Sequence, residues 1–330
     1  MSPNEKELRF TANRIGLSML IFFGMFQMLF EASSVISSAL SHYLTHTVAY
    51  TISQIVHILV YLTCFMVPAL ILRAMLKSKG RFDGMMLELR LPKKYLCLVP
   101  AAVAVCFACS TVNYYILNLL GMGGIYNAMS GSVVYYEPYQ IVLEFIAVAL
   151  VPAVCEEFFF RGVITSGLCR FGNAVAVIGG AVMFALMHQN PAQLFYTFMV
   201  GIFLGYVYVK TESIACCTLI HFINNGISVF QSVILANCSE SLGTVCAFII
   251  DLVVYSLGAV GIIVFFALDK KEKLGRYADG SFGKLIERED NAAQKQVPAH
   301  KALRCFMAPS VIVFFCLTAG YMLLILLQFS

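Results

Sequence analysis

Charge is what this sequence has least of. Only 12% of its 330 residues are charged, 60% are hydrophobic and the mean hydropathy is +0.83, whereas a soluble domain carries roughly 25% charged residues. That balance excludes an ordinary soluble globular fold. Paired cysteine spacings are missing too. The twelve cysteines are scattered, mostly inside apolar runs, which excludes a secreted disulfide framework and a zinc ribbon. Cys106-Phe-Ala-Cys109 is formally a C-x-x-C, but with no second ligand pair it reads as buried thiols acting as small hydrophobes. The chain lacks a G-x-x-x-x-G-K-[ST] loop, which counts against an ATP-driven transporter, and it lacks the H-E-x-x-H of the common zinc peptidases. It also lacks an internal repeat and a low-complexity tract.

Long apolar runs are abundant. They begin with Ile15 to about Leu40, too long for a signal-peptide core, and continue at about 48–76, 95–121, 139–160, 174–189, 194–209, 213–235, 243–268 and 305–327. The expected fold is therefore all-α: a polytopic transmembrane helical bundle of about nine spans forming a single membrane-embedded domain. Threading it from a cytoplasmic N-terminus puts Lys77, Lys79, Arg81, Arg90, Lys93 and Lys94 inside, then Arg161 and Arg170, Lys210, and the basic stretch 270–304. The opposite connections, Ser41–Thr47, Met122–Pro138, Gln189–Gln193 and Ala236–Leu242, contain neither Lys nor Arg. This asymmetry follows the positive-inside rule and sets the expected orientation, with the C-terminus outside. Segment 269–304, with mixed charge and several glycines, reads as a solvated cytoplasmic loop or a surface helix.

Against that background the stretch Val154-Cys-Glu-Glu-Phe-Phe-Phe-Arg161 stands out. A charged side chain at the centre of a spanning helix costs roughly 2.5–3.5 kcal/mol on insertion scales, so carboxylates and an arginine there imply internal partners and a functional site. Glu157 and Arg161 are four apart on one helix face and are set to pair. Glu156 points about 100° away and is left free for chemistry. Residues 139–170 read as one long helix, kinked by Pro152, which turns at Phe171-Gly-Asn173 into a second helix. Glu156 and His188 lie equally far from Gly172, so an antiparallel hairpin brings them level, about 24 Å along each arm. His221 enters from the same side and reaches a similar depth, with Asn225 one turn further on. Phe184 shares a face with His188. Gln189-Asn-Pro-Ala-Gln193 is then polar, irregular backbone at membrane depth, tolerated only where it is packed in protein or lines a cavity.

Glu156-Glu157-x-x-x-Arg161, Phe184-x-x-x-His188 and His221-x-x-x-Asn225, in that order, resemble the three motifs of the CPBP family (CAAX proteases and bacteriocin-processing enzymes, also called Abi). The resemblance covers about residues 95–235, the protease core, flanked by N-terminal helices and a cytoplasmic loop in 1–94 and by C-terminal helices in 236–330. It implies intramembrane proteolysis, as in type II CAAX prenyl endopeptidases. In the bacterial branch it implies self-immunity, peptide processing or surface-protein handling in a cell membrane. The implied partners are a membrane-associated, lipidated or unlipidated, protein or peptide substrate and the membrane lipids; a nucleic acid is not expected.

The residues themselves suit peptide hydrolysis, which needs an activated water and donors for a developing oxyanion. Glu156 suits the base, His188 the holding of the water, and His221 with Asn225 the oxyanion. This reading needs no cofactor. A zinc alternative makes Glu156, His188 and His221 a His₂Glu ligand set with one open position, and must then find its base elsewhere, for instance Glu157. A third reading is a transporter or scaffold whose intramembrane carboxylates relay protons or bind a cation.

Overall fold

The structure, a computed structural model, describes residues 1–77, 93–123, 137–278 and 297–328, with Leu89 and Leu91. Most of the basic connection after Lys77, the cation-free connection before Pro138 and the centre of the basic stretch 270–304 lie outside the described residues.

Among the described residues ten helices longer than the short turn at Lys93–Leu96 carry the fold: α1 (Pro3–Tyr43), α2 (His46–Lys77), α3 (Leu98–Leu119), α4 (residues 138–169), α5 (Asn173–Met187), α6 (Leu194–Thr211), α7 (Ile214–Asn237), α8 (Glu240–Ala278), α9 (Ala299–Phe306) and α10 (Pro309–Gln328). Seven of them, α1, α2, α3, α6, α7, α8 and α10, contain windows long and apolar enough to cross a membrane. The chain is thus the polytopic helical bundle that its composition predicts. Large apolar side chains such as Phe248, Ile263 and Phe266 are more than 60% exposed on the outer face of α8, which suits a surface turned to lipid rather than water.

Local chemistry sets the helix starts. Ser2 and Glu5 form a reciprocal capping box ahead of α1. The Ser213 hydroxyl accepts from the Cys216 N–H at the start of α7. α4 is continuous but wound unevenly: π-helical turns at Phe145–Leu150 and Phe158–Thr165 flank the α-helical Val151–Glu157. Such widened turns are local and are frequent at functional sites. The α4–α5 hairpin closes at Gly172, whose φ of 121° strongly favours glycine.

α1 packs along α2 and α10, α5 along α6, and α3 along α8, while α7 crosses α4 and α3. The α5–α6 approach is close. A Cβ on Gly201 would sit 2.9 Å from the Ala181 Cα, so only glycine lets the two helices meet there. At one end of the bundle the N-terminus, the α4–α5 turn and α9 are tied together. Arg170 pairs with Glu7 at 3.1 Å, Lys301 with Glu5 at 3.3 Å, and the Val297 N–H donates to the Phe171 carbonyl at 3.1 Å. These three places are the ones that alternate threading assigns to a single side.

Candidate active site

The two carboxylates of α4 sit between its widened turns, and both are buried: Glu156 is 4% exposed and Glu157 0%. Their partners differ. Glu157 Oε1 accepts from Arg161 at 2.7 Å and from His221 Nδ1 at 2.8 Å. The arginine, 1% exposed, is satisfied further: it donates to the Gly201 carbonyl at 3.4 Å and its guanidinium lies 4.6 Å from the Phe184 ring centroid. The pairing expected from the four-residue spacing is present. The histidine joining it through the same oxygen was not apparent from the sequence.

Glu156 faces the other way. Its Oε1 accepts a hydrogen bond from the Tyr61 hydroxyl of α2. Its Oε2 is buried without a hydrogen-bond partner among the described residues and lies 4.0 Å from His221 Nε2. Such an oxygen leaves the desolvation of the group uncompensated; Glu157 Oε2 is in the same state, and what sets Glu156 apart is that it lines a cavity.

Both histidines are oriented through Nδ1. His188 donates from Nδ1 to the Phe184 carbonyl at 2.8 Å, since a carbonyl only accepts, and its ring packs edge-on against Phe184 at 4.9 Å. In the neutral tautomer this leaves a lone pair on Nε2. His221 directs Nδ1 at Glu157 and Nε2 towards Glu156. Phe184 thus serves as a common floor, with the His221 ring 6.3 Å from it as well.

Asn225 is fixed at both ends of its amide. Its Oδ1 accepts from Asn224 Nδ2 at 3.0 Å, and its Nδ2 donates to the Val148 carbonyl at 3.1 Å. Asn224 spends its other N–H on the Tyr196 hydroxyl at 3.1 Å. An amide nitrogen carries two hydrogens, so Asn225 retains one for another acceptor.

Glu156, His188, His221 and Asn225 line one cavity of about 300 Å³. The rest of its wall mixes polar side chains (Ser110, Asn113, Tyr196, Thr197 and Asn224 among them) with apolar ones such as Val148, Val200 and Leu204. Glu157 and Arg161 are not part of this wall; they stand behind it and hold His221. The connection 189–193 is irregular; Gln189, Asn190 and Ala192 are buried and Gln193 lines the cavity. Gln189 has a φ of 52°, Gln27 of α1 donates to the Gln189 side-chain oxygen, Asn113 donates to the Ala192 carbonyl at 2.9 Å and the Ala192 N–H donates to Asn190 Oδ1 at 2.9 Å.

Sequence reasoning missed Tyr61, Asn224 and Tyr196. An aromatic on an apolar helix carries no local mark of a polar task. Asn224 adjoins a residue already singled out, and its role shows only in three dimensions. For a metal, the fit is incomplete: among the described residues no three His, Cys, Asp or Glu side chains are grouped closely enough to hold an ion. Two further acids in the apolar helices, Glu144 and Asp251, have ordinary interhelical partners. Glu144 accepts from Tyr50 at 3.1 Å and Gln54 at 3.2 Å, and Asp251 accepts from Gln231 at 2.8 Å.

Comparison with known families agrees with the resemblance carried by the motifs. The family described as Type II CAAX prenyl endopeptidase Rce1-like matches residues 138–227, the segment from the start of α4 into α7. No curated protein and no solved structure matches the chain. With seven helices among the described residues able to cross a membrane, the chain is an integral membrane protein, and its residues 138–227 are similar to a peptidase family.

Proposed function

From an Rce1-like endopeptidase segment at residues 138–227, we propose that this protein is an intramembrane endopeptidase that hydrolyses a peptide bond of a membrane-associated, prenylated or otherwise lipidated protein or peptide through a glutamate-activated water. The observation that carries the reading is Glu156 Oε2, a buried oxygen without a hydrogen-bond partner among the described residues, on a carboxylate that shares a cavity with His188, His221 and Asn225.

The chemistry follows from the proton positions. A water between Glu156 Oε2 and His188 Nε2 meets two acceptors, and Glu156 takes its proton as the hydroxide adds to the scissile carbonyl. The carbonyl oxygen gains charge and takes the remaining N–H of Asn225. His221 adds a second donor from Nε2 in its imidazolium form, for which Glu157 on Nδ1 is the counter-charge. Glu156 then passes its proton to the leaving amine, so that one water has been divided between the two products. Under the positive-inside orientation, with the N-terminus cytoplasmic, the site lies within the membrane nearer the cytoplasmic face.

The decisive experiment uses purified full-length protein and a prenylated peptide with a fluorophore and quencher on either side of the bond after the prenylated cysteine. Cleavage that falls by orders of magnitude in Glu156→Gln, with binding retained, supports the reading. An unaltered rate in that variant sinks it. A zinc-assisted reading draws on one observation: each histidine anchors Nδ1 on a carboxylate or a carbonyl and leaves Nε2 available, the outer-sphere pattern of histidine ligands. Zinc held by Glu156, His188 and His221 would supply Lewis-acid activation of water. Metal analysis of active protein separates the two readings.

A further inference from the structure

Glu156 has two carboxylate oxygens, and the protein treats them differently. One meets the Tyr61 hydroxyl, and the other is buried without a hydrogen bond among the described residues and faces the His221 side of the cavity. Tyr61 belongs to α2, well outside the matched segment at 138–227, and it does not line the cavity. It approaches Glu156 from behind.

The hydroxyl's position is set by ring packing. Tyr61 stacks on Phe65 with ring centroids 4.5 Å apart and planes 23° apart. Phe65 is itself held edge-on by Phe22 of α1 at 4.9 Å and by Phe159 of α4 at 6.5 Å. Those three phenylalanines are fully buried. Rings from α1, α2 and α4 therefore clamp the tyrosine before any hydrogen bond is counted, and Phe159 lies three residues beyond the carboxylate it serves. A donor fixed in this way removes the freedom of Glu156 to exchange its oxygens or rotate into the apolar wall, and supporting contacts of this type hold functional side chains to the tolerance that chemistry requires.

We propose that Tyr61 is a positioning residue for hydrolysis at Glu156: its hydroxyl holds Oε1, so that Oε2 is the oxygen presented to the reacting water. This inference rests on the glutamate-activated-water reading. It assigns a necessary part of the site to a helix that the family match does not include. Tyr61→Phe is the informative variant because it keeps the ring and its clamp and removes only the donor.

In full-length protein reconstituted in nanodiscs, Tyr61→Phe is expected to lower kcat on the quenched prenylated peptide by about 10- to 100-fold, the range for losing a hydrogen bond to a charged group. KM should stay within about twofold, because this bond orients the base rather than binding substrate, and the thermal midpoint should fall only by the cost of one lost buried hydrogen bond. In a Glu156→Gln background the same change should cost nothing further. A fall in stability matched by equal losses in both backgrounds would show a packing role and overturn the inference. A substrate-free measurement runs beside it: the infrared carboxyl band assigned to Glu156 by isotope labelling and by its loss in Glu156→Gln should move in Tyr61→Phe. An unmoved band overturns the inference whatever the peptide does. A band that moves while the wild-type protein leaves the peptide intact supports the Tyr61–Glu156 link and counts against the prenylated-peptide reading instead.

Discussion

Asn225 of α7 donates its side-chain amide to the Val148 carbonyl of α4 at 3.1 Å, four residues before Pro152, which has no N–H to compete for that carbonyl. Pro152→Ala restores the competing N–H within a helix that alanine favours. Folded yield should hold or rise while turnover falls by about tenfold, the worth of one net hydrogen bond. Equal turnover in the two proteins would mean that Asn225 needs no such anchor.

Removing the amide itself should cost more. Asn225→Ala deletes an oxyanion donor and is expected to lower kcat about 10²- to 10³-fold with little change in KM. A variant that chiefly raises KM would move Asn225 from the transition state to substrate binding.

The buried pair behind the site makes a prediction about stability. Arg161→Ala leaves Glu157 buried without its cation, a change that costs about 3–5 kcal/mol, so monodisperse yield and thermal midpoint should fall sharply. Replacing both partners, as in Glu157→Leu with Arg161→Met, should recover much of the stability, because a buried pair is often no better than apolar packing. Activity should stay low, since His221 has then lost the acceptor on Nδ1. Recovery of both together would deny Glu157 any part in holding the imidazole.

Metal dependence is read by composition, not by loss of activity, because Glu156→Gln stops turnover under either mechanism. The glutamate-water reading expects active protein with far less than one zinc per chain and indifference to chelators. Stoichiometric zinc lost along with activity in His188→Ala and His221→Ala would establish the metalloprotease instead.

Orientation is tested with reporters. The absence of Lys and Arg from Ser41–Thr47 and the other alternate connections predicts a cytoplasmic signal from a fusion near Ala293 and an external one after Ser330. Signals from the same side would remove α10 from the membrane.

What could be read without coordinates was whatever depends on spacing along a helix or on symmetry about a turn. Glu157 and Arg161 are four apart and pair at 2.7 Å. Glu156 and His188 flank Gly172 equally, and both reach the same cavity. The polar turn after His188 was recognisable because unpaired backbone has no other place at that depth. Tyr61 was hidden because its neighbours, Val60 and Leu62, are apolar and its acceptor is 95 residues away. The widened turns of α4 were hidden as well, since winding responds to packing partners rather than to composition. The Val148–Asn225 bond was hidden too: Pro152 reads from the sequence only as a kink, and the donor arrives from another helix.

The seam between α1 and α10 has a consequence for the order of synthesis. Ser310 Oγ donates to the Asn13 carbonyl, and Gly16 lies directly against the backbone of Ser310 and Val311, where a side chain would collide. These partners are 297 residues apart, so α1 must wait for that many further residues to be made before this face is covered. Until then α1 leans on α2 and, once they have emerged, on Arg170 of the α4–α5 turn and on Gln189, while the small-residue groove at Gly16 stays open to lipid or to a membrane chaperone. Cysteines placed at positions 13 and 310 should crosslink only in nascent chains long enough for α10 to have emerged; crosslinking-competent α1 surfaces captured by other helices in shorter chains would reveal a different route of assembly.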